Sequence, residues 1–214
     1  MIGDKLIIKD KHRRAAEQIV KRILPQLKSY PRIYTITIAG ESGSGKSEMG
    51  RAVADVLDGR GFKTLVLQQD DYFVHPPKSN DRIRRRDIGW VGMQEVRLAL
   101  LDDHLGQARS GAEAIEKPLV VYGEDRITQE TVSFRGVAAI VAEGTYTTAL
   151  KNVDTRVFIE LTYLETLHSR LERAREAQDD FLEKVLEIEH RIISAHKNRA
   201  DYIVGKEYQV VATR

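Results

Sequence analysis

The sequence predicts an α/β fold of three layers, in which helices cover both faces of a mainly parallel central sheet. Short apolar runs, typical of buried strands, alternate along the 214 residues with longer amphipathic segments of helical period. Four of these runs are expected to form the sheet, at residues 33–39, 62–68, 138–142 and 156–161. This length is ordinary for one α/β domain with a small lid, so we expect a single domain over residues 1–214.

The segments between these runs complete the alternation. Apolar residues recur every three to four positions over residues 10–28, which predicts an N-terminal helix that Pro25 kinks or ends. Further helices are predicted at 47–57, 94–106 and 164–196, the last with a break near 178–180 and a short helical lid at about 168–182. Shorter strands are predicted at 117–122, 126–134, 200–204 and 208–211. Residues 75–90 are polar and contain prolines, which predicts a long loop of functional importance.

The composition is typical of a soluble protein of the cytoplasm. The 34 basic and 32 acidic residues nearly cancel, so the charge gives no reason to expect a nucleic-acid partner, and the basic face of the first helix suits a solvated surface. The chain has no cysteine, which fits a reducing compartment and, with no paired spacing among the six histidines, argues against a zinc site. No apolar run is long enough to cross a membrane, and the first residues do not resemble a signal peptide.

The first predicted strand leads directly into a glycine-rich turn. Residues 40–47, Gly-Glu-Ser-Gly-Ser-Gly-Lys-Ser, match G-x-x-x-x-G-K-[ST], with a strand before and a helix after. The glycines allow successive N–H groups to point at one anion, and the N-terminus of the next helix points there too. This P-loop predicts binding of a nucleoside triphosphate, with Lys46 at the β and γ phosphates and the Ser47 hydroxyl on Mg²⁺. The predicted ATP-binding residues are Gly40, Glu41, Ser42, Gly43, Ser44, Gly45, Lys46, Ser47 and Glu48.

Carboxylates follow two other predicted strands. Asp70 and Asp71 come after the strand at 62–68, and Glu143 comes after the strand at 138–142. Because the carboxyl ends of parallel strands meet at one edge of the sheet, we expect all three near the triphosphate. They suit two roles, namely holding Mg²⁺ and accepting a proton from a hydroxyl nucleophile. The alternative role is helix capping or turn formation for Asp70 and Asp71, and an ordinary strand-end turn for Glu143.

Three arginines in the predicted lid are candidates for stabilising a transferring phosphate. Arg170 and Arg173 share one helix face, whereas Arg175 points elsewhere unless the helix bends. Arginines beside a transferring phosphate stabilise the charge of the transition state and can come from a lid of the same chain. The glutamates that surround them leave a salt-bridged surface helix open as the alternative.

In their order along the chain, these motifs resemble the uridine kinase and phosphoribulokinase family of P-loop kinases. The resemblance runs over roughly residues 33–205. Besides the P-loop, it rests on Gln-Asp-Asp-Tyr-Phe at 69–73, which is particularly similar to nicotinamide riboside kinases, and on segments 141–146, 168–175 and 197–204. The segments that hold the base and ribose in uridine kinases differ here, at 86–94 and at 121–126, where the family's histidine is missing.

The resemblance implies a P-loop NTPase fold and an ATP- and Mg²⁺-dependent kinase that phosphorylates an alcohol. It implies that Asp70 is the general base and that Ser47, Asp70 and Glu143 hold the metal. Lys46, Arg170, Arg173 and Arg175 would stabilise the transferring phosphate. The acceptor it implies first is a nucleoside 5′-hydroxyl. Another sugar, a pantothenate-like alcohol, or a regulatory ATP-binding switch with slow hydrolysis are the alternatives.

The acceptor is expected to lie against residues of the two segments that differ and of the segment after the second strand. These candidates are Asp71, Tyr72, Asp87, Trp90, Tyr122 and Arg126. The basic residues at 78–86 suit a phosphorylated acceptor and a solvated loop equally well. ATP and a small alcohol are the expected partners, without nucleic acid or membrane, and a homo-oligomer stays open.

Overall fold

The computed structural model describes residues 1–3, 6–167, 170–171 and 179–213. A six-stranded sheet of the described chain has the order β2-β5-β1-β6-β7-β8. Its strands are β1 (Tyr34–Gly40), β2 (Thr64–Gln68), β5 (Ala139–Glu143), β6 (Thr155–Ile159), β7 (Tyr202–Val204) and β8 (Val210–Ala212). All neighbours pair in parallel except β7 and β8. The predicted mainly parallel sheet is therefore confirmed.

Helices cover both faces of this sheet, as the three-layer prediction requires. On one face, α1 (Asp10–Lys28) and α2 (Lys46–Asp58) bury their apolar sides against β1 residues such as Ile36 and Ile38. On the other face, α4 (Leu98–Arg109) packs over apolar residues of β2 and β5. The helix α5 (Asp180–Ser194) places Ile193 beside Phe158 of β6. Packing against the sheet stabilises each helix, because it removes the apolar side of the amphipathic helix from water.

Two strands stand apart from the central sheet. β3 (Ala114–Val121) and β4 (Arg126–Ser133) form an antiparallel hairpin with Val121 opposite Arg126. Its turn residue Asp125 has a positive φ of 48° and accepts hydrogen bonds from the backbone amides of Lys78 and Ser79, at 2.7 and 3.2 Å. The hairpin therefore binds the N-terminal end of the segment that follows residue 76.

That segment is a helix, so the prediction of a long loop at 75–90 was wrong for most of its length. The helix α3 spans Pro77–Arg86, with a short 3₁₀ turn at Ile88–Trp90 after it. Pro77 is favourable at a helix start because its fixed φ suits the first turn and its missing N–H has no partner there. Asp81 and Arg85, one turn apart, form an ion pair at 2.8 Å.

The boundaries of two other predicted helices differ from those in the structure by a few residues. Pro25 does not end α1, which continues to Lys28, because it lies in the last turns, where little helix follows it. The helix predicted at 94–106 begins at Leu98, after a 3₁₀ turn at Met93–Glu95, and ends at Arg109.

The predicted lid is described in part. α5 begins at Asp180, where a break was predicted, and the Asp179 carboxylate accepts a hydrogen bond from the Leu182 amide at 2.9 Å. Residues 168, 169 and 172–178 lie outside the described residues. Among the helices that the structure does describe, none combines the length and apolar character that a membrane span requires.

Candidate active site

The phosphate loop joins the end of β1 to the start of α2. Gly43 and Gly45 have φ of 76° and 88°, a left-handed backbone that other residues rarely adopt. The loop closes through a hydrogen bond from the Ser44 amide to the Glu41 carbonyl, at 3.1 Å. The Lys46 ammonium donates to the same carbonyl at 2.9 Å. The lysine therefore lies folded over the loop that would hold the phosphates.

A cavity of about 160 Å³ opens beside this loop. The phosphate loop, the ends of β2 and β5, α3, α5 and the hairpin all contribute to its walls. Its described lining consists of Met1, Ser42, Gly43, Lys46, Ser47, Asp70, Phe73, Pro77, Asn80, Asp81, Arg84, Tyr122, Glu143, Thr145, Arg170, Leu182, Val185, Leu186 and Glu189. Groups from the predicted P-loop, carboxylate and arginine sets thus meet in one place.

Two carboxylates at the strand ends lie close to the loop. β2 and β5 are neighbours, with Gln68 opposite Glu143, so Asp70 follows β2 just beyond Glu143. The pKa of Glu143 is raised to about 7, mainly by burial and next by the negative charge of Asp70. Lys46 and a hydrogen bond with the Ser47 hydroxyl act in the opposite direction. A cation between these oxygens would relieve the repulsion.

The donor set fits Mg²⁺ that arrives with a nucleotide. The described residues contain no group of three or more His, Cys, Asp and Glu side chains arranged to hold a metal. Asp70, Glu143 and Ser47 provide oxygen atoms only, which suits Mg²⁺, since this ion keeps several waters and takes further oxygens from phosphates.

Gln69 fixes the two strand ends relative to each other. Its side-chain oxygen accepts a hydrogen bond from the Tyr146 amide at 2.7 Å. It lies against Gly144, where an added Cβ would come 2.2 Å from the Gln69 Cβ, so only glycine fits. The backbone segments that carry Asp70 and Glu143 are therefore in close contact with each other.

Arg170 lies directly over the phosphate loop. Its guanidinium donates to the Tyr163 carbonyl and, at 2.8 Å, to the Thr166 hydroxyl. A Cβ at Gly43 would come 2.8 Å from its Cγ, which shows how closely the two segments approach. The other two predicted arginines, Arg173 and Arg175, lie outside the described residues.

The wall of the cavity opposite the phosphate loop is formed by α3 and α5, and its positive charge is paired with carboxylates. Arg84 donates to the fully buried Glu95 and, at 3.1 Å, to Glu189 of α5. Asn80 donates to the same Glu95 at 3.0 Å and accepts from the Trp90 indole at 2.9 Å. Because Arg84 faces two carboxylates, this wall presents hydrogen-bonding groups without an excess of positive charge.

The chain is similar in sequence to two proteins that are named as kinases. The chain is 29% identical over 189 residues to a bifunctional alpha-galactosidase/sucrose kinase of Mediterraneibacter gnavus, covering 82% of this chain and 20% of that protein. It is 28% identical over 192 residues to a uridine kinase of Ligilactobacillus salivarius, covering 82% of this chain and 87% of that one. No protein-family model matches it. In sequence the chain is similar to uridine kinase-like P-loop kinases.

A solved structure has a similar fold. The structure of a possible uridine kinase from Bacillus stearothermophilus superposes with a TM-score of 0.64 at 18% identity, over 89% of this chain and 97% of that one. This chain spans only about a fifth of the length of the bifunctional relative. Both sequence relatives are named as kinases.

Two of the residues predicted to contact the acceptor lie in the protein interior of the kinase. Asp71 is not part of the described cavity lining and is buried against the hairpin, where it accepts from Lys117 at 2.8 Å and from the Val120 amide at 3.0 Å and pairs with the Met1 ammonium at 3.0 Å. Tyr72 is fully buried, with its hydroxyl 2.9 Å from His104 Nδ1. Both assignments are corrected, because adjacent residues of the 3₁₀ turn at Gln69–Tyr72 point in different directions.

Three further acceptor candidates also lie off the cavity lining. Asp87 is exposed and accepts from the Gly89 amide of its own turn. Trp90 donates a hydrogen bond to Asn80, and its ring centroid lies 5.7 Å from that of His75 in a tilted arrangement. Arg126 is exposed on the hairpin and pairs with Glu124 at 2.8 Å. Tyr122 lines the cavity, and it is the one residue of the six predicted acceptor residues that does so.

Within the predicted ATP-binding set, Ser42, Gly43, Lys46 and Ser47 line the cavity. Ser44 and Glu48 are buried behind the loop, and the Tyr208 hydroxyl donates to the Ser44 carbonyl at 3.0 Å. The wall formed by α3 and α5 was not predicted. A proline followed by an Asp–Arg pair at four-residue spacing was the available signal for α3, but its glutamate partners are distant in sequence.

Proposed function

We propose that this kinase transfers the γ-phosphate of ATP to a hydroxyl group of an uncharged sugar. The observation that supports phosphoryl transfer best is the presence of Asp70 in one cavity with Lys46, Ser47 and Glu143. A P-loop alone would suit hydrolysis or switching, but a carboxylate beside the phosphate site suits removal of a proton from an alcohol.

In this proposal Asp70 takes the proton of the acceptor hydroxyl as its oxygen attacks the γ-phosphorus, and ADP leaves. Lys46 and Arg170 stabilise the charge on the transferring group, and Arg173 and Arg175 are proposed to add to it. Ser47, Asp70 and Glu143 would hold Mg²⁺, which neutralises phosphate charge when it is bound.

An uncharged acceptor is favoured by the ion pairs of three of the five basic residues at 78–86. Arg82 pairs with Asp125, Arg84 with Glu95 and Glu189, and Arg85 with Asp81 and Asp179. A phosphorylated acceptor would need cations without such partners. Asp81 and Glu189 instead offer carboxylate oxygens, which suit the hydroxyl groups of a sugar. The sucrose kinase named among the relatives agrees with this class.

A nucleoside 5′-hydroxyl is the second candidate acceptor. It is favoured by the uridine kinase relative, most of whose length the chain covers, and by the rings of Phe73 and Tyr122 in the cavity lining. Aromatic rings of this kind can stack on a base.

The experiment is an ADP-release assay with ATP and Mg²⁺ and a panel of acceptors. The panel contains neutral sugars including sucrose, the matching sugar phosphates, nucleosides and pantothenate. We expect neutral sugars to raise ADP release at least about tenfold above the rate without acceptor, and sugar phosphates to have no such effect. Stimulation by nucleosides alone would replace the sugar by the second candidate. ATP turnover that no alcohol stimulates would favour the regulatory switch.

A further inference from the structure

The phosphate loop is hydrogen-bonded to the turn at residues 163–166, which holds Arg170; we call this turn together with Arg170 the Arg170 segment. One of these bonds comes from a side chain at a position where the G-x-x-x-x-G-K-[ST] pattern allows any residue. Glu41, the second residue of the motif, is only 6% exposed. One of its carboxylate oxygens accepts from the Tyr163 amide at 2.6 Å, and the other lies 2.6 Å from His190 Nδ1 on α5. A buried carboxylate is costly unless it is hydrogen-bonded in this way.

A second bond connects the same two segments. The Thr166 hydroxyl donates to the Ser42 carbonyl of the phosphate loop at 2.8 Å. The same hydroxyl lies 2.8 Å from a guanidinium nitrogen of Arg170, and that nitrogen also donates to the Tyr163 carbonyl. The two residues that hold the guanidinium, Tyr163 and Thr166, are thus the two that are bonded to the phosphate loop.

From these contacts we infer that Glu41 is a positioning residue for Arg170. The inference rests on the proposed function, in which Arg170 stabilises the transferring phosphate. An arginine has a long, flexible side chain, and its effect on a transition state depends on being held in place before the reaction. Glu41 sets the turn at 163–166 relative to the phosphate loop, and this turn in turn holds the guanidinium.

The role of Glu41 is separable from phosphate binding by the loop itself. Lys46 donates to the backbone carbonyl of Glu41, which every substitution retains. The loop also closes through backbone groups of Ser44 and Glu41. Replacement of the carboxylate therefore leaves the lysine and the loop amides in place and acts on the Arg170 segment.

The test compares steady-state kinetics of Glu41→Ala, Glu41→Gln, Arg170→Ala and the double variant Glu41→Ala with Arg170→Ala. We expect Glu41→Ala to lower kcat by about tenfold or more and to change the KM for ATP by less than about threefold. Glu41→Gln keeps an oxygen acceptor for the Tyr163 amide and should lose less. In the Arg170→Ala background, Glu41→Ala should change kcat by less than about twofold, because the two residues act as a unit. Glu187→Ala, an exposed carboxylate of α5, is the matched control and should retain wild-type kinetics.

Full additivity of the two substitutions would overturn the inference, as would a loss of activity explained by the unfolded fraction in thermal melts. Thr166→Val is the second variant, since it leaves Glu41 intact and removes the hydroxyl contacts with Ser42 and Arg170. It should also lower kcat selectively, and unchanged kcat would count against the inference.

Labelling of Arg170 by phenylglyoxal, followed by mass spectrometry, gives a readout that needs no acceptor. Arg170 should react at least about threefold faster in Glu41→Ala than in the wild-type protein, since its guanidinium is released from its partners. Equal rates would overturn the inference. If the wild-type protein phosphorylates no member of the panel, the proposed function fails, and the labelling still decides the role of Glu41.

Discussion

Asp70 and Asp71 are adjacent in sequence but point in different directions after the end of β2. Asp70 lines the cavity beside Glu143, whereas Asp71 is buried between Lys117 and the Val120 amide of the hairpin. One carboxylate is therefore available for chemistry, and the other connects the sheet to the hairpin.

This difference predicts distinct effects of two matched substitutions. Asp70→Asn should lower kcat by at least about 10²-fold with little change in ATP affinity, because it removes the proposed base and retains the shape. Asp71→Asn should retain most of kcat and lower the free energy of unfolding by about 2 kcal/mol, since a buried charged hydrogen bond is lost. Kinetics and urea unfolding of both variants measure this. A fully active Asp70→Asn protein would refute the assignment of the base.

Asp81 on α3 is predicted to affect the acceptor and not the nucleotide. Asp81→Asn should raise the KM for the acceptor by at least about fivefold, which corresponds to one weakened hydrogen bond, and leave the KM for ATP nearly unchanged. Asp87→Asn is the control, because Asp87 is exposed and bonded to its own turn. Equal KM values for the acceptor in the wild-type protein and Asp81→Asn would remove α3 from the acceptor wall.

Two glycines with positive φ provide a matched pair for the phosphate loop. Gly43 and Gly61 have φ of 76° and 85°, so alanine should cost each about 1 kcal/mol of stability. Only at Gly43 would the new methyl group meet Arg170 and Thr166, at 2.8 and 3.1 Å, whereas Gly61 has open space. We expect Gly43→Ala to lower kcat/KM for ATP by at least about tenfold and Gly61→Ala to keep it. Comparable losses in both variants would argue against the close approach.

His104 should make the stability of the kinase depend on pH. Burial lowers its pKa from the ordinary value of 6.5, so the folded protein keeps the ring neutral while the unfolded chain takes up a proton. The unfolded state then binds more protons, and the free energy of unfolding falls as the pH drops through 6.5 toward the folded-state pKa.

The measurement is the difference in unfolding free energy between the wild-type protein and His104→Asn, which places a polar atom near the Nδ1 position facing Tyr72. This difference should be larger at about pH 8 than at about pH 5.5. Subtraction removes the contribution of His196, whose pKa burial also lowers. A difference that is constant with pH would show that His104 does not titrate as described.

The sequence was informative where chain order alone determines position. In a parallel sheet the residues after each strand meet at one edge, so a P-loop after β1 and carboxylates after β2 and β5 had to approach each other. No side-chain detail was needed to bring Lys46, Asp70 and Glu143 together. Their chemical roles remain predictions that the variants above test.

The acceptor side depends on pairings between distant residues, which periodicity does not reveal. The basic run at 78–86 folds as α3 because its arginines meet Glu95, Asp125, Asp179 and Glu189, and its first amides meet the hairpin turn. Asp71 and Tyr72 were misassigned for a related reason. A short apolar strand followed by two acids does not show which acid turns toward solvent and which turns toward the core.

The contact between Gln69 and Gly144 has a consequence for how acceptor preference can change. Because this contact holds the segments of the proposed base and the proposed metal ligand against each other, we expect a different acceptor to be accommodated without a large movement of Asp70 relative to Glu143. Adjustment is left to α3, α5 and the hairpin, which are separate elements on the other side of the cavity. If the proposed roles hold, the residues for phosphoryl transfer and those for acceptor choice lie on different elements, and we expect substitutions in α3 to change the preferred alcohol with little effect on phosphoryl transfer.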